Sequence, residues 1–109
     1  MDKNILQVAM EVILHAGDGR NYIDKALDEA VKLNFDAADG LLEQADSEIV
    51  KAHTAQTQVI QSQVAGEDVE YSLLFIHAQD TIMTIQTELR MATKMIELAK
   101  AVYTADRQK

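Results

Sequence analysis

The stretch Leu73-Leu74-Phe75-Ile76-His77-Ala78-Gln79-Asp80-Thr81-Ile82-Met83 spaces its apolar residues three and four apart. That is the period of a helix and not the alternation of a strand. Two ionisable residues, His77 and Asp80, interrupt the run. Residues three apart share one helix face, about one turn from each other. Burying an imidazole and a carboxylate together costs free energy unless each finds a partner, so their placement asks for a chemical reason.

The same period extends along the chain. Ile5, Val8, Val12, Ala16, Ile23, Ala26, Ala30 and Leu33 form a first stripe. A second runs Ala38, Leu42, Ala45, Ile49, Ala52, then Val59 and Ile60 across a polar gap at Gln56. A third runs Leu73, Ile76, Met83, Leu89, Met91, Met95, Leu98 and Val102. Two breaks divide them. Asn34-Phe35-Asp36 offers a cap, with Asp36 able to accept from the free N–H groups of the next helix. Gly66 in Gly66-Glu67-Asp68 can end a helix. The pattern predicts an all-α, antiparallel three-helix bundle in a single domain, residues 1–109, with helices over roughly 4–33, 36–65 and 70–105. A helix of about thirty residues is about 45 Å long, and three of them enclose little interior. The stripes are wider than such an interior can cover, which predicts an oligomer of bundled subunits.

Composition narrows the partners. A chain of 109 residues with 10 basic and 18 acidic side chains, net charge −8, is poorly suited to nucleic acid or to direct insertion in an anionic membrane. With no cysteine, disulfides, thiolate nucleophiles and cysteine metal sites are excluded. No apolar run reaches membrane-spanning length and the first residues do not resemble a signal peptide, so a cytoplasmic protein is expected.

Other features read as structural. Gly17-Asp18-Gly19 lacks the spacing and Lys-Ser/Thr end of a phosphate loop and predicts a kink or a close helix approach. His15, beside the first apolar stripe with Glu11 one turn before it, reads as structural. His53, among Lys51, Thr54 and Gln56, reads as a polar edge. Met83, Met91 and Met95 read as core packing, and Glu67-Asp68-Glu70 as a solvated turn.

For His77 and Asp80 the residues alone leave three readings open. They form a buried hydrogen-bonded pair, they ligate a metal, or His77 is a nucleophile. One carboxylate repeated on a threefold axis would make an all-oxygen site suited to Mg²⁺ or Ca²⁺. An unperturbed imidazole, with a pKa of about 6.5, is available in its neutral form near pH 7.

The segment from Val69 to Thr84 resembles the active-site segment of enzyme IIA components of the bacterial sugar phosphotransferase system, lactose/cellobiose (chitobiose) type. Ile13-Leu14-His15-Ala16-Gly17-Asp18-Gly19-Arg20 resembles the Asn-Ala-Gly-x-x-Arg segment of that family's first helix, with His15 where asparagine is usual. Phe35-Asp36-Ala37-Ala38 and Ala52-His53-Thr54-Ala55-Gln56-Thr57-Gln58-Val59-Ile60 resemble the start and end of its second helix. The resemblance implies three-helix subunits in a nine-helix homotrimer. It implies that His77 is the catalytic residue, a phosphohistidine carrier that accepts a phosphoryl group from HPr and passes it to a cysteine of a cognate enzyme IIB. It further implies that Asp80 points to the trimer axis and holds a shared divalent cation, Mg²⁺ by donor type. The family often has a second histidine where this chain has Thr81, and Gln79 is a neighbour able to orient His77. Such a transferase component serves uptake of a β-linked disaccharide, lactose, cellobiose or chitobiose, and the sugar itself is not encoded in these motifs. The rival classes are a structural bundle with His77–Asp80 as a buried pair and a metal-binding bundle with both as ligands.

Overall fold

The computed structural model describes residues 5–64 and 73–108. Three helices account for nearly all of them: α1 (Ile5–Val31), α2 (Phe35–Val64) and α3 (Leu73–Arg107). The expected Gly66 helix end, the Glu67-Asp68-Glu70 turn and the start of the third helix before Leu73 lie outside the described residues. No helix among the described residues is long and apolar enough to cross a membrane.

The turn from α1 to α2 ends the first helix two residues earlier than the sequence pattern predicts. Leu33 takes a left-handed backbone, φ 65°. Its N–H donates to the Ala30 carbonyl, and the Asn34 N–H donates to the Glu29 carbonyl, both at 2.9 Å. These are the paired bonds of a helix-closing turn whose left-handed position usually holds glycine. The Asn34 carbonyl then accepts the Ala38 N–H at 3.0 Å and α2 starts at Phe35. Asp36 is therefore not the cap. It sits in the first turn of α2, where its charge faces the positive end of the helix dipole.

The molecule is a rod of 63 × 21 × 19 Å with a radius of gyration of 17.4 Å, against about 13 Å for a rounded domain of this length. A thin rod has a thin core. Half of the buried apolar residues are alanines, including Ala9, Ala16, Ala26, Ala45, Ala52, Ala78 and Ala92. Small side chains let the helices approach closely. At Gly19 the approach is closest: a Cβ there would lie 3.2 Å from Ile49 Cγ1 and 3.4 Å from the Ala45 carbonyl oxygen. The Gly17-Asp18-Gly19 segment is thus the predicted close helix approach, made by Gly19, while a Cβ at Gly17 would meet nothing within 4 Å.

The first and second stripes face the core as expected, except that Leu33 and Ile60 are exposed. The third does not. Leu73, Ile76, Met83, Met91, Met95, Leu98 and Val102 are exposed, and the core face of α3 is Phe75, Ala78, Ile82, Ile85, Ala92 and Ile96. The methionines are therefore not core packing within the subunit. Helix α3 is apolar on two faces, and the sequence pattern singled out the face that lies outside.

Polar ties fix the helices laterally. Arg20 on α1 donates from Nε and Nη2 to the two carboxylate oxygens of Glu88 on α3, at 2.8 and 2.9 Å. Lys100 on α3 reaches both oxygens of Asp39 on α2 at 2.9 and 2.6 Å. Phe35 and Tyr103 meet edge to face at 5.8 Å.

Candidate functional site

Ile82 and Ile85, fully buried, anchor α3 and so fix where the polar residues before them point. Asp80 is two residues before Ile82, about 200° around the helix, and is exposed. His77 is exposed on the flank of the same outer face. Neither side chain has a hydrogen-bond partner among the described residues. The buried-pair reading therefore does not hold within the subunit: the apolar run around them belongs to two faces, and they lie on the outer one.

Two threonines bond back to the turn beneath them. The Thr81 hydroxyl donates to the His77 carbonyl at 2.8 Å, and the Thr84 hydroxyl to the Asp80 carbonyl at 2.9 Å. Threonine hydroxyls bonded back four residues are committed to their own helix. Thr81, standing where a second histidine is common in the family, thus has its hydroxyl engaged on the His77 carbonyl. Gln79 is half-buried. Exposed Leu73, Ile76 and Met83 flank the pair along α3.

An imidazole held on a helix and open to solvent is chemically a nucleophile that a partner protein can reach. Asp80 alone offers one carboxylate, too few oxygens for a hard cation without further copies of the chain.

The other histidines are differently placed. His53 is exposed, 3.3 Å from the Thr57 hydroxyl through Nδ1, on a groove between α2 and α3 lined by Asp46, Val50 and Gln86. His15 is half-buried, with Nδ1 2.7 Å from Glu48 Oε2 on α2. That hydrogen bond is the main cause holding the Glu48 carboxyl below its usual range. Burial opposes it, and Lys51, 3.2 Å from Oε1, assists. Glu48 was not legible as the partner of His15 because it comes from another helix. On the other side of the bundle, hydrogen bonding to Glu88 holds the Arg20 proton more firmly than usual.

Gln56, which reads as a gap in the second stripe, is on the core face. It is buried, and its side-chain oxygen has no partner among the described residues.

The sequence matches the family model "PTS system, Lactose/Cellobiose specific IIA subunit" over residues 7–100. The chain belongs to this family. It is 36% identical over 102 residues to the lichenan-specific phosphotransferase enzyme IIA component of Bacillus subtilis, covering 94% of this chain and 93% of that protein. The cellobiose-specific enzyme IIA from Bacillus anthracis superposes with a TM-score of 0.87 at 35% identity, with 95% of each chain covered. The IIA(chitobiose) protein of the Escherichia coli phosphotransferase system, solved in complex with HPr, superposes with a TM-score of 0.81 at 27% identity, covering 94% of this chain and 99% of that one. The chain is therefore an enzyme IIA, a phosphotransferase component of a sugar phosphotransferase system, on an all-α three-helix fold.

Proposed function

We propose that His77 of this enzyme IIA accepts a phosphoryl group from HPr and hands it to a cysteine of a cognate enzyme IIB, in the cytoplasm, in support of uptake of a β-linked disaccharide. The observation that carries the reading is the exposure of His77 on the outer face of α3, in a chain of this family. In the forward step a lone pair on one imidazole nitrogen attacks phosphorus. The N–P bond forms as the bond to the donor's leaving nitrogen breaks, and in the second step the IIB sulfur attacks in turn. Such transfer passes through a loose transition state, so in-line positioning and charge stabilisation do most of the work. The net charge of −8 favours encounter with a basic partner surface.

The same outer face carries a second part of the proposal. Large apolar side chains stand exposed on the outer face of α3, with Leu73 72%, Met83 63% and Leu98 65% exposed. A homotrimer that buries this face would bring three Asp80 carboxylates together. Their all-oxygen donor set fits a shared Mg²⁺, which when bound would offset their mutual repulsion.

Incubating the chain with HPr, its upstream phosphoryl-donating enzyme and labelled phosphoenolpyruvate tests the carrier role. Wild type, His15→Ala and His53→Ala take up acid-labile label, and His77→Ala takes up none while keeping its helicity. Label on His77→Ala at the wild-type level refutes the assignment.

A further inference from the structure

Helices α1 and α2 bring together a second set of ligating side chains, none of them on α3. His15 and Asp18 are three apart on α1 and share a face, and Glu48 on α2 meets it. One nitrogen of His15 and one carboxylate oxygen each from Asp18 and Glu48 all lie within 4.8 Å of one another. We propose that His15, Asp18 and Glu48 form a site for one borderline divalent transition-metal ion per chain, of the Zn²⁺ class, bridging α1 and α2.

The donor set selects the ion class. One imidazole and two carboxylates suit Zn²⁺, whereas Mg²⁺ and Ca²⁺ sites are built from oxygen. Zinc binds nitrogen and oxygen at about 2.0–2.2 Å in a tetrahedron, so neighbouring donor atoms stand about 3.4 Å apart. The present contact of 2.7 Å between His15 and Glu48 would open slightly and Asp18 would swing inward. Both are side-chain rotations. Asp18 is exposed and has no hydrogen-bond partner among the described residues, so nothing holds it back. His15 and Glu48 are 30% and 17% exposed at their side chains, which restricts their rotamers and aims them at each other.

Two neighbours support the geometry. Lys51 engages Glu48 Oε1 at 3.2 Å and leaves Oε2 toward His15, orienting the carboxylate as an outer-shell partner does. Gly19, one turn after His15, admits α2 so closely that its Cβ would lie 3.7 Å from Glu48 Cβ, which sets the short span the three side chains close. Three protein ligands leave a fourth position for water. Binding requires the neutral imidazole with its remaining proton on the other ring nitrogen, and both carboxylates ionised.

The competing reading is a His15–Glu48 hydrogen bond with Asp18 a bystander, and Asp18 separates the two. The test dialyses chelator-stripped, full-length protein against ZnCl₂ and measures bound metal and melting temperature. Wild type, His77→Ala and Asp80→Leu should each bind one Zn²⁺ per chain and melt higher with it. Asp18→Asn should weaken binding about tenfold or more without changing the metal-free melting temperature, and His15→Ala should do the same to binding. The proposal is overturned if Asp18→Asn binds as wild type does. It is also overturned if no Zn²⁺ is retained, or if binding amounts to one ion per three chains and disappears with Asp80→Leu.

Discussion

Replacing Gly19 and Gly40 by alanine should have unequal effects on stability, although both glycines lie inside helices. In a helix interior alanine is favoured over glycine by about 0.8–1.0 kcal/mol, partly because glycine leaves the unfolded chain freer. At Gly40 a Cβ would meet nothing within 4 Å, so Gly40→Ala should gain about 1 kcal/mol. At Gly19 the same gain is opposed by crowding against Ile49 Cγ1 at 3.2 Å and the Ala45 carbonyl at 3.4 Å. The carbonyl belongs to α2 itself, and Ile49 is only 4% exposed, so neither can yield without parting the helices. Overpacking of that kind costs about 1–3 kcal/mol. Gly19→Ala should therefore end between neutral and about 2 kcal/mol less stable than wild type. Urea unfolding followed by far-UV circular dichroism, at one fixed protein concentration, measures both. With a slope of about 1–3 kcal/mol per molar urea, the two midpoints should separate by about 1 M. If Gly19→Ala is stabilised as much as Gly40→Ala, the close approach of α1 and α2 is not as described.

Three further outcomes are expected. The lowered Glu48 carboxyl contributes stability that is present above its ordinary value of about 4.3 and is lost as pH falls through its lower folded-state value. Below about pH 4.3, wild type should therefore lose stability more steeply than Glu48→Gln, and parallel acid titrations would refute the role of the His15 hydrogen bond. Leu33→Gly should stabilise by about 0.5–1 kcal/mol, the left-handed penalty of about 1–2 kcal/mol less the freedom glycine adds to the unfolded chain, and a lower thermal midpoint would contradict this. Sedimentation should report about three times the 12.1 kDa chain mass, with chelation lowering the melting temperature of wild type but not of Asp80→Leu; a monodisperse monomer would remove both the trimer and its axial cation.

Helix number and approximate extent were legible because the period of the apolar residues does not depend on what they pack against. Phe35 to Val64 fell within a residue of the expected second helix for that reason. The end of α1 was not legible, since the helix-closing residue is Leu33 where glycine is usual, and left-handed leucine carries no local signal. The face of α3 was misjudged because that helix is apolar on two faces. Phe75, Ile82, Ile85 and Ile96 pack inward with Ala78 and Ala92, while Met83, Met91 and Leu98 lie on the outer face, and a list of apolar residues at helical spacing does not say which face meets the other helices.

The site follows the same division. His77 and Asp80 stood out because they interrupt an apolar run, and that contrast is visible in one segment of sequence. Of the readings that contrast allowed, the buried pair is not formed within the subunit, because two apolar faces of one helix look like a single run in one dimension. Pairings between helices were beyond reach for a related reason. Arg20 finds Glu88, His15 finds Glu48 and Lys100 finds Asp39 across 68, 33 and 61 positions, and no local spacing encodes such partners. These cross-helix ties lie on the flanks of the subunit, whereas His77 and Asp80 face outward and touch none of them. Substitutions at His15, Arg20 or Lys100 should thus act first on how the three helices hold together, and substitutions at His77 on what the assembled face can accept.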